Sequence, residues 1–221
     1  MNRFARNYST ISLDQQKYLK QIRILVVGLG GLGGIVSEGL IRLGIYNLGI
    51  CDFDVVEESN LNRQLLSNEN NLGNSKILEC QKRLLSINKD IDVTCYDKLT
   101  KDNKKLLNDF SSYDLVIDCL DNYDTRLLLH NLCFKNNLKV IYGAIAGDYG
   151  YFGVSTKENM LIFDDKMGIE KELGNPFYTP AIIGSMQIKL TLDVIFNKEY
   201  LRNGFYYLDL NSFTIEEINL Q

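Results

Sequence analysis

The sequence has little of what most enzymes use to move protons or hold metals. It contains one histidine, His130, within a leucine-rich helical stretch where packing is the expected role, so any mechanism must work without a histidine base. Its five cysteines (Cys51, Cys80, Cys95, Cys119, Cys133) form no Cys-x-x-Cys pair, which excludes the usual zinc and disulfide patterns and leaves reduced, packed thiols. No apolar run approaches a membrane span. The opening Met1-Asn-Arg-Phe-Ala-Arg-Asn-Tyr8 lacks the apolar core of a signal peptide, so a cytoplasmic protein is expected. The net charge of −4 argues against a surface that coats nucleic acid. With two prolines, no repeats and no low-complexity tract, the 221 residues read as one domain.

Glycine, by contrast, is concentrated. In Arg23-Ile-Leu-Val-Val-Gly28-Leu-Gly30-Gly31-Leu-Gly33-Gly34, a β-branched run suited to a buried parallel strand breaks into glycines. It resumes as Ile35 to Leu43, apolar at helical spacing. Strand, glycine turn and helix together give Gly28-x-Gly30-x-x-Gly33 its meaning. Such a turn brings phosphates to the backbone, and the helix N-terminus adds free N–H groups and partial positive charge. Asp52 closes a second strand, Leu48 to Asp52, where an acid holds a ribose hydroxyl in dinucleotide folds. The other reading of the glycines is a purely structural tight turn.

Around this turn the sequence predicts a capped helix over Ser12–Leu19, a helix from Lys76 to about Ser86, a strand over Ile91–Tyr96 and a helix over Asn103–Phe110. Tyr113 to Leu120 reads as the fourth strand, with Asp121 and Asn122 at its carboxyl end beside the glycine turn. A helix over Tyr123–Asn136 and a strand over Lys139–Ala144 follow. The alternation then changes. Tyr149–Thr156, Asn159–Phe163, Phe205–Leu210 and Phe213–Leu220 read as strands, interrupted by an irregular segment over 164–178 and a helix capped by Thr179 with Pro180 first. The expected fold is α/β: a Rossmann-like parallel half continued by a largely antiparallel half in one sheet, with helices on both faces. The expected parts are an arm over 1–20, a nucleotide-binding half over 21–147 and a second half over 148–221.

A nicotinamide dehydrogenase would fit the turn and Asp52. It would not account for Ser59-Asn60-Leu-Asn-Arg63-Gln64, for Lys76, or for Asp118-Cys-Leu-Asp121-Asn122. With Asp52-Phe-Asp54 and Pro180-Ala-Ile-Ile-Gly184-Ser-Met-Gln187, these motifs resemble, in order and over almost the whole chain, the MoeB/ThiF/HesA family of relatives of the ubiquitin-activating enzymes. Arg3-Phe-Ala-Arg6-Asn7 is similar to the family's N-terminal arginine segment. The resemblance implies an ATP-dependent adenylyltransferase acting on the C-terminal Gly-Gly carboxylate of a ubiquitin-like sulfur-carrier protein, in thiamine, molybdopterin or sulfur amino-acid synthesis. By position, Gly28, Gly30 and Gly31 would cradle phosphates and Asp52 would hold the ribose. Asn60, Arg63, Gln64 and Lys76 would hold the triphosphate, Asp121 would bind Mg2+, and Asn122 would line the nucleotide pocket. Arg6 would act from the other subunit of a homodimer, and residues 148–221 would bind the carrier.

The chemistry suits a chain poor in histidine. A carboxylate is ionised at neutral pH, so its attack on an α-phosphate needs positive charge and positioning, not a base. Many relatives carry two zinc-binding Cys-x-x-Cys pairs and some a cysteine before the late helix; this chain has no cysteine after Cys133. Zinc is therefore not expected, and the reaction is expected to stop at an acyl-adenylate that a separate sulfur donor consumes. A chain ending at Gln221 carries the further expectation of no appended sulfurtransferase domain. The alternatives are adenylation of another carboxylate, such as a peptide C-terminus or a modified tRNA base, and a non-catalytic activating-enzyme-like subunit. Asp121 also fits the N-cap of the next helix.

Overall fold

The computed structural model describes residues 3–161 and 172–220. Eight strands form one sheet in the order β3-β2-β1-β4-β5-β6-β7-β8: β1 (Arg23–Val27), β2 (Asn47–Cys51), β3 (Asp92–Tyr96), β4 (Leu115–Asp118), β5 (Val140–Ala146), β6 (Tyr149–Ser155), β7 (Gly204–Asp209) and β8 (Thr214–Asn219). The first five run parallel, and from β5 onward every pairing is antiparallel. The described helices are α1 (Leu13–Leu19), α2 (Gly31–Leu43), α3 (Lys76–Ile87), α4 (Lys104–Asp109), α5 (Tyr123–Lys135) and α6 (Tyr178–Ile195), with short 3-10 turns between. None is long and apolar enough to cross a membrane.

Alternation along the central strands sorts the core into two layers, because successive side chains leave a strand on opposite faces. Ile24 and Val26 of β1 pack with Ile117 and Ile141 beneath α2, α3 and α6, which contribute Leu40, Leu84 and Ile183. Leu25 and Val27 pack with Val116 and Val140 beneath α4 and α5, which contribute Leu106, Leu129 and Cys133. Beyond α5 this second face is continued by Tyr142, Leu161 and Phe205, flanked by Tyr151, Tyr207 and Ile218. No described helix covers it there. Tyr149 stacks on Tyr207 at 6.1 Å, and Tyr207 meets Tyr151 at 5.3 Å, making an aromatic ladder across β6 and β7.

The expected architecture holds, with local corrections. Thr179 is not a cap: α6 begins at Tyr178, and the buried Thr179 hydroxyl donates to the Gly147 carbonyl at 2.6 Å. A polar side chain predicted to cap its own helix instead pins that helix to the β5–β6 turn. Pro180 then stands third in the helix, still within the first turn, where no intrahelical N–H is lost. Of the strand expected over 159–163, Asn159 to Leu161 form a turn: the Thr156 N–H donates to the Asn159 carbonyl and the Leu161 N–H to Ser155 Oγ, each at 2.9 Å. Phe163 and most of the segment expected to be irregular lie outside the described residues. Ser12 does cap α1, in a reciprocal capping box with Gln15.

Candidate active site

The parallel strands end on one cleft, and the glycine turn forms its floor. Gly28 takes φ +91°, and its N–H donates to the Cys51 carbonyl at 2.8 Å, tying the turn to the end of β2. A Cβ on Gly28 would stand 2.6 Å from the Cys119 carbonyl oxygen, and one on Gly33 would stand 1.8 Å from that of Gly28. These two glycines let strand, turn and helix close on one another. Gly30 and Gly31 face the other way, into the cleft, and Gly30 is the N-cap of α2. The first N–H groups of that helix have no intrahelical acceptor, which makes its start an anion site.

Asp52 is held rigidly at the rim. One carboxylate oxygen accepts the Leu29 N–H of the turn at 2.6 Å and the other the Asp54 N–H at 2.8 Å. Each oxygen keeps a lone pair for a hydroxyl. Lys76 opens α3 and lines the same cleft; its buried ammonium lies 3.1 Å from Asp54 Oδ2. Arg63 lines the cleft beside Gly31, its guanidinium donating to the Ser59 carbonyl and to Asn62 Oδ1, both at 2.9 Å. Gln64 is buried beside Gly30, and its Oε1 has no hydrogen-bond partner among the described residues. The atom nearest a Gly30 Cβ would be Gln64 Nε2, at 3.7 Å.

Asp121 and Asn122 complete the rim. The N-cap of α5 is Asn122, whose Oδ1 accepts the Thr125 N–H at 3.0 Å; Asp121 is therefore released from capping and stands exposed. Among the described residues its carboxylate receives only a long contact, 3.4 Å, from the Asn122 amide. No group of three or more His, Cys, Asp or Glu able to hold a metal occurs among the described residues. That donor set fits Mg2+, which is commonly bound through one or two carboxylates plus substrate phosphates and water. Asp121 would hold it.

Two expected site residues lie elsewhere. Asn60 is buried and completes its own turn, accepting the Glu57 N–H at 3.1 Å, and so shapes the loop that carries Arg63. Arg6 is exposed in a 3-10 turn packed by Phe4 against Tyr46 and by Asn7 against Gln16, which in turn bonds the Leu43 carbonyl. That is the far end of α2, a helix length of about 20 Å from the glycine turn.

Six further residues, none given a site role by the sequence, shape the cleft and its support. Asp54 pairs with Lys76, and Lys98 lies over the Phe53 ring at 4.3 Å on the cleft wall. Arg126 lines the cleft and donates to the Leu120 and Gly143 carbonyls and to the Tyr142 hydroxyl. His130, fully buried, bridges Asp118 Oδ2 at 3.0 Å and Ser155 Oγ at 3.1 Å. From α6, Gln187 donates to the Asp118 carbonyl at 2.9 Å, while Pro180 lies 3.2 Å from where a Gly31 Cβ would be. The Asp-x-Asp spacing and an arginine one helical turn after Asn122 were visible signals; the hydrogen bonding of the histidine was not.

The thiols are poor nucleophiles. Burial pushes Cys51 and Cys80 up to about 12, raises Cys119 and Cys133 well above the ordinary thiol value, and raises Cys95 as well. None of the five forms a disulfide.

A glycine turn on a helix start, an acid at the next strand end and cations around them define an α/β protein of the nucleotide-binding class. The chain belongs to the ThiF family, whose model matches residues 4–221. It is 36% identical over 154 residues to the sulfur carrier protein ThiS adenylyltransferase of Bacillus subtilis (strain 168), covering 67% of this chain and 45% of that one. It is 32% identical over 218 residues to a probable molybdopterin-synthase adenylyltransferase of Porphyra purpurea, covering 93% and 56%. To the molybdopterin-synthase adenylyltransferase of Escherichia coli (strain K12) it is 37% identical over 146 residues, covering 66% and 58%. The chain thus spans about half the length of these curated relatives. Its fold matches the crystal structure of E. coli MccB with MccA-N7isoASN at a TM-score of 0.82 and 20% identity, covering 99% of this chain and 71% of that one.

Proposed function

We propose that the chain adenylates the C-terminal carboxylate of a small ubiquitin-like sulfur-carrier protein ending in Gly-Gly, consuming ATP and releasing pyrophosphate. The observation that carries this reading is the gathering of Gly30, Gly31, Asp52, Arg63, Lys76 and Asp121 around one cleft with no histidine among its described lining residues. The names of the ThiF-family relatives support it.

In this reading, Asp52 takes the ribose hydroxyls, and the α2 N-terminus with Gly30 and Gly31 receives phosphate oxygens. Gln64 lines the nucleotide end of the cleft beside Gly30. Bound at Asp121, Mg2+ would neutralise phosphate charge. A carboxylate oxygen of the carrier attacks the α-phosphorus as the bond to pyrophosphate breaks, and no proton is transferred. Arg63 and Lys76 stabilise the charge that gathers on the leaving group.

Arg6 cannot serve the cleft of its own chain, a helix length away, which supports a homodimer in which it serves the partner's. The carrier would dock on the second half, residues 148–221, where the aromatic ladder Tyr149–Tyr207–Tyr151 leads toward β4. Protonated, buried thiols support a product that stops at the acyl-adenylate and passes to a separate sulfur donor. A second reading is adenylation of another carboxylate, such as a peptide C-terminus, by the same cleft.

ATP–pyrophosphate exchange with magnesium, with and without candidate carriers, tests the proposal. Carrier-dependent exchange that falls about 10³-fold in Arg63→Ala is expected. ATP binding without exchange for any Gly-Gly carrier would refute the carrier assignment, and exchange driven by a short peptide alone would establish the second reading.

A further inference from the structure

We propose that Asp54, which the reading above leaves without a role, is a positioning residue that aims the Lys76 ammonium at the triphosphate; the inference rests on that reading. The two residues are coupled twice. The Lys76 backbone N–H donates to the Asp54 carbonyl at 3.0 Å, while the side chains meet at 3.1 Å. Around them the chain forms a small antiparallel clamp. Val55 bridges Ser75, the Val56 N–H donates to the Asn74 carbonyl at 2.8 Å, and the Gly73 N–H donates to the Val56 carbonyl at 2.8 Å. Asp54 is itself fixed from the other side, its N–H held at 2.8 Å by the carboxylate of Asp52. A line of contacts therefore runs from the ribose acid through Asp54 to Lys76.

Burial makes the anchor necessary. The Lys76 side chain is 9% exposed, whereas that of Asp54 is 49% exposed. A lysine is a compact charge on a four-carbon stem whose freedom must be lost before its N–H groups meet a phosphate. An ammonium has three donors; one given to Asp54 leaves two for phosphate oxygens. Asp54 and the phosphates can therefore hold Lys76 together, and the pair is extended on binding, not broken. The carboxylate also offsets the lysine charge, so ground-state attraction for ATP gains little. The benefit falls where position matters most, as charge moves onto the leaving pyrophosphate.

The test is a double-mutant cycle read by exchange, using a Gly-Gly carrier that the wild type accepts. Asp54→Ala is expected to lower kcat about tenfold while changing KM for ATP less than about threefold. Asp54→Asn, whose amide oxygen still accepts from Lys76, is expected to recover most of that loss. With Lys76 already replaced by alanine, Asp54→Ala is expected to cost nothing more. A clamp role alone would leave Asp54→Ala without loss, because the backbone bonds survive the substitution, and that result too would overturn the proposal. Additive losses, an effect on KM alone, or no recovery in Asp54→Asn would overturn the proposal. Failure of the reading itself would show differently, as no carrier-dependent exchange in the wild type.

Discussion

Gly33→Ala separates the packing of the glycine turn from its chemistry. An added Cβ would stand 1.8 Å from the Gly28 carbonyl oxygen and 2.8 Å from its carbon, so helix and turn must part by more than an ångström. The opposing atoms are backbone. The turn cannot retreat, because its N–H is bonded to Cys51 at 2.8 Å and the Cys119 carbonyl lies 2.6 Å from where a Gly28 Cβ would be. Overpacking a core costs about 1–3 kcal/mol, and such unyielding neighbours put this substitution near 3 kcal/mol. For a chain of this size each kcal/mol moves Tm by roughly 2–4 °C, giving a fall of roughly 6–12 °C. Gly30→Ala is the control, since its Cβ would meet nothing nearer than Gln64 Nε2 at 3.7 Å. An alanine N-cap costs at most about 1 kcal/mol, or roughly 2–4 °C, but its methyl group enters the phosphate path and should weaken ATP–magnesium binding. Thermal melts followed by circular dichroism, with nucleotide titrations alongside, compare the two. A Gly33→Ala protein melting with the wild type, or a Gly30→Ala protein melting as low as Gly33→Ala, would refute this account of the turn.

Glu38, on α2, sits between Arg42 and Arg83; burial pushes its carboxyl up, but the two guanidiniums prevail and hold it below its ordinary value of 4.5. Its stabilisation is therefore complete above that value and is lost as pH falls through the lowered folded value. Glu38→Gln should cost about 1–2 kcal/mol at neutral pH and flatten the acid limb of Tm against pH. An unchanged acid limb would remove Glu38 from the stability of the α2–α3 contact. Among the thiols, only half-buried Cys95 should react with Ellman's reagent in the native state, and the other four only on unfolding. Fast native labelling of Cys119 would contradict its burial.

Much of the fold was legible because the parallel half obeys simple rules. Buried strands read as β-branched runs, and glycines mark where backbone meets backbone. Gly28 and Gly33 are required by a positive φ and a 1.8 Å approach, constraints that only glycine meets. What stayed hidden belongs to contacts distant in the chain. Nothing near Thr179 reveals that its hydroxyl bonds Gly147, thirty-two residues earlier. Nor does the leucine-rich setting of His130 show that its ring joins Asp118 to Ser155. Asp121 alone was expected as a cap, yet it is Asn122 that closes the helix while Asp121 faces the cleft.

The unbroken sheet also works as a ruler. Three interstrand steps separate β4, which ends at Asp121's loop, from β7, which carries Tyr207. At about 4.8 Å per step the span is roughly 14 Å. An extended chain advances about 3.5 Å per residue, so a partner seated on the tyrosines needs roughly four unfolded residues before its terminal carboxylate arrives. Hydrogen-bonded strands fix that distance. Under the proposed docking, tail length would be a selection criterion, one that a folded domain with too short a terminus fails however well its surface matches.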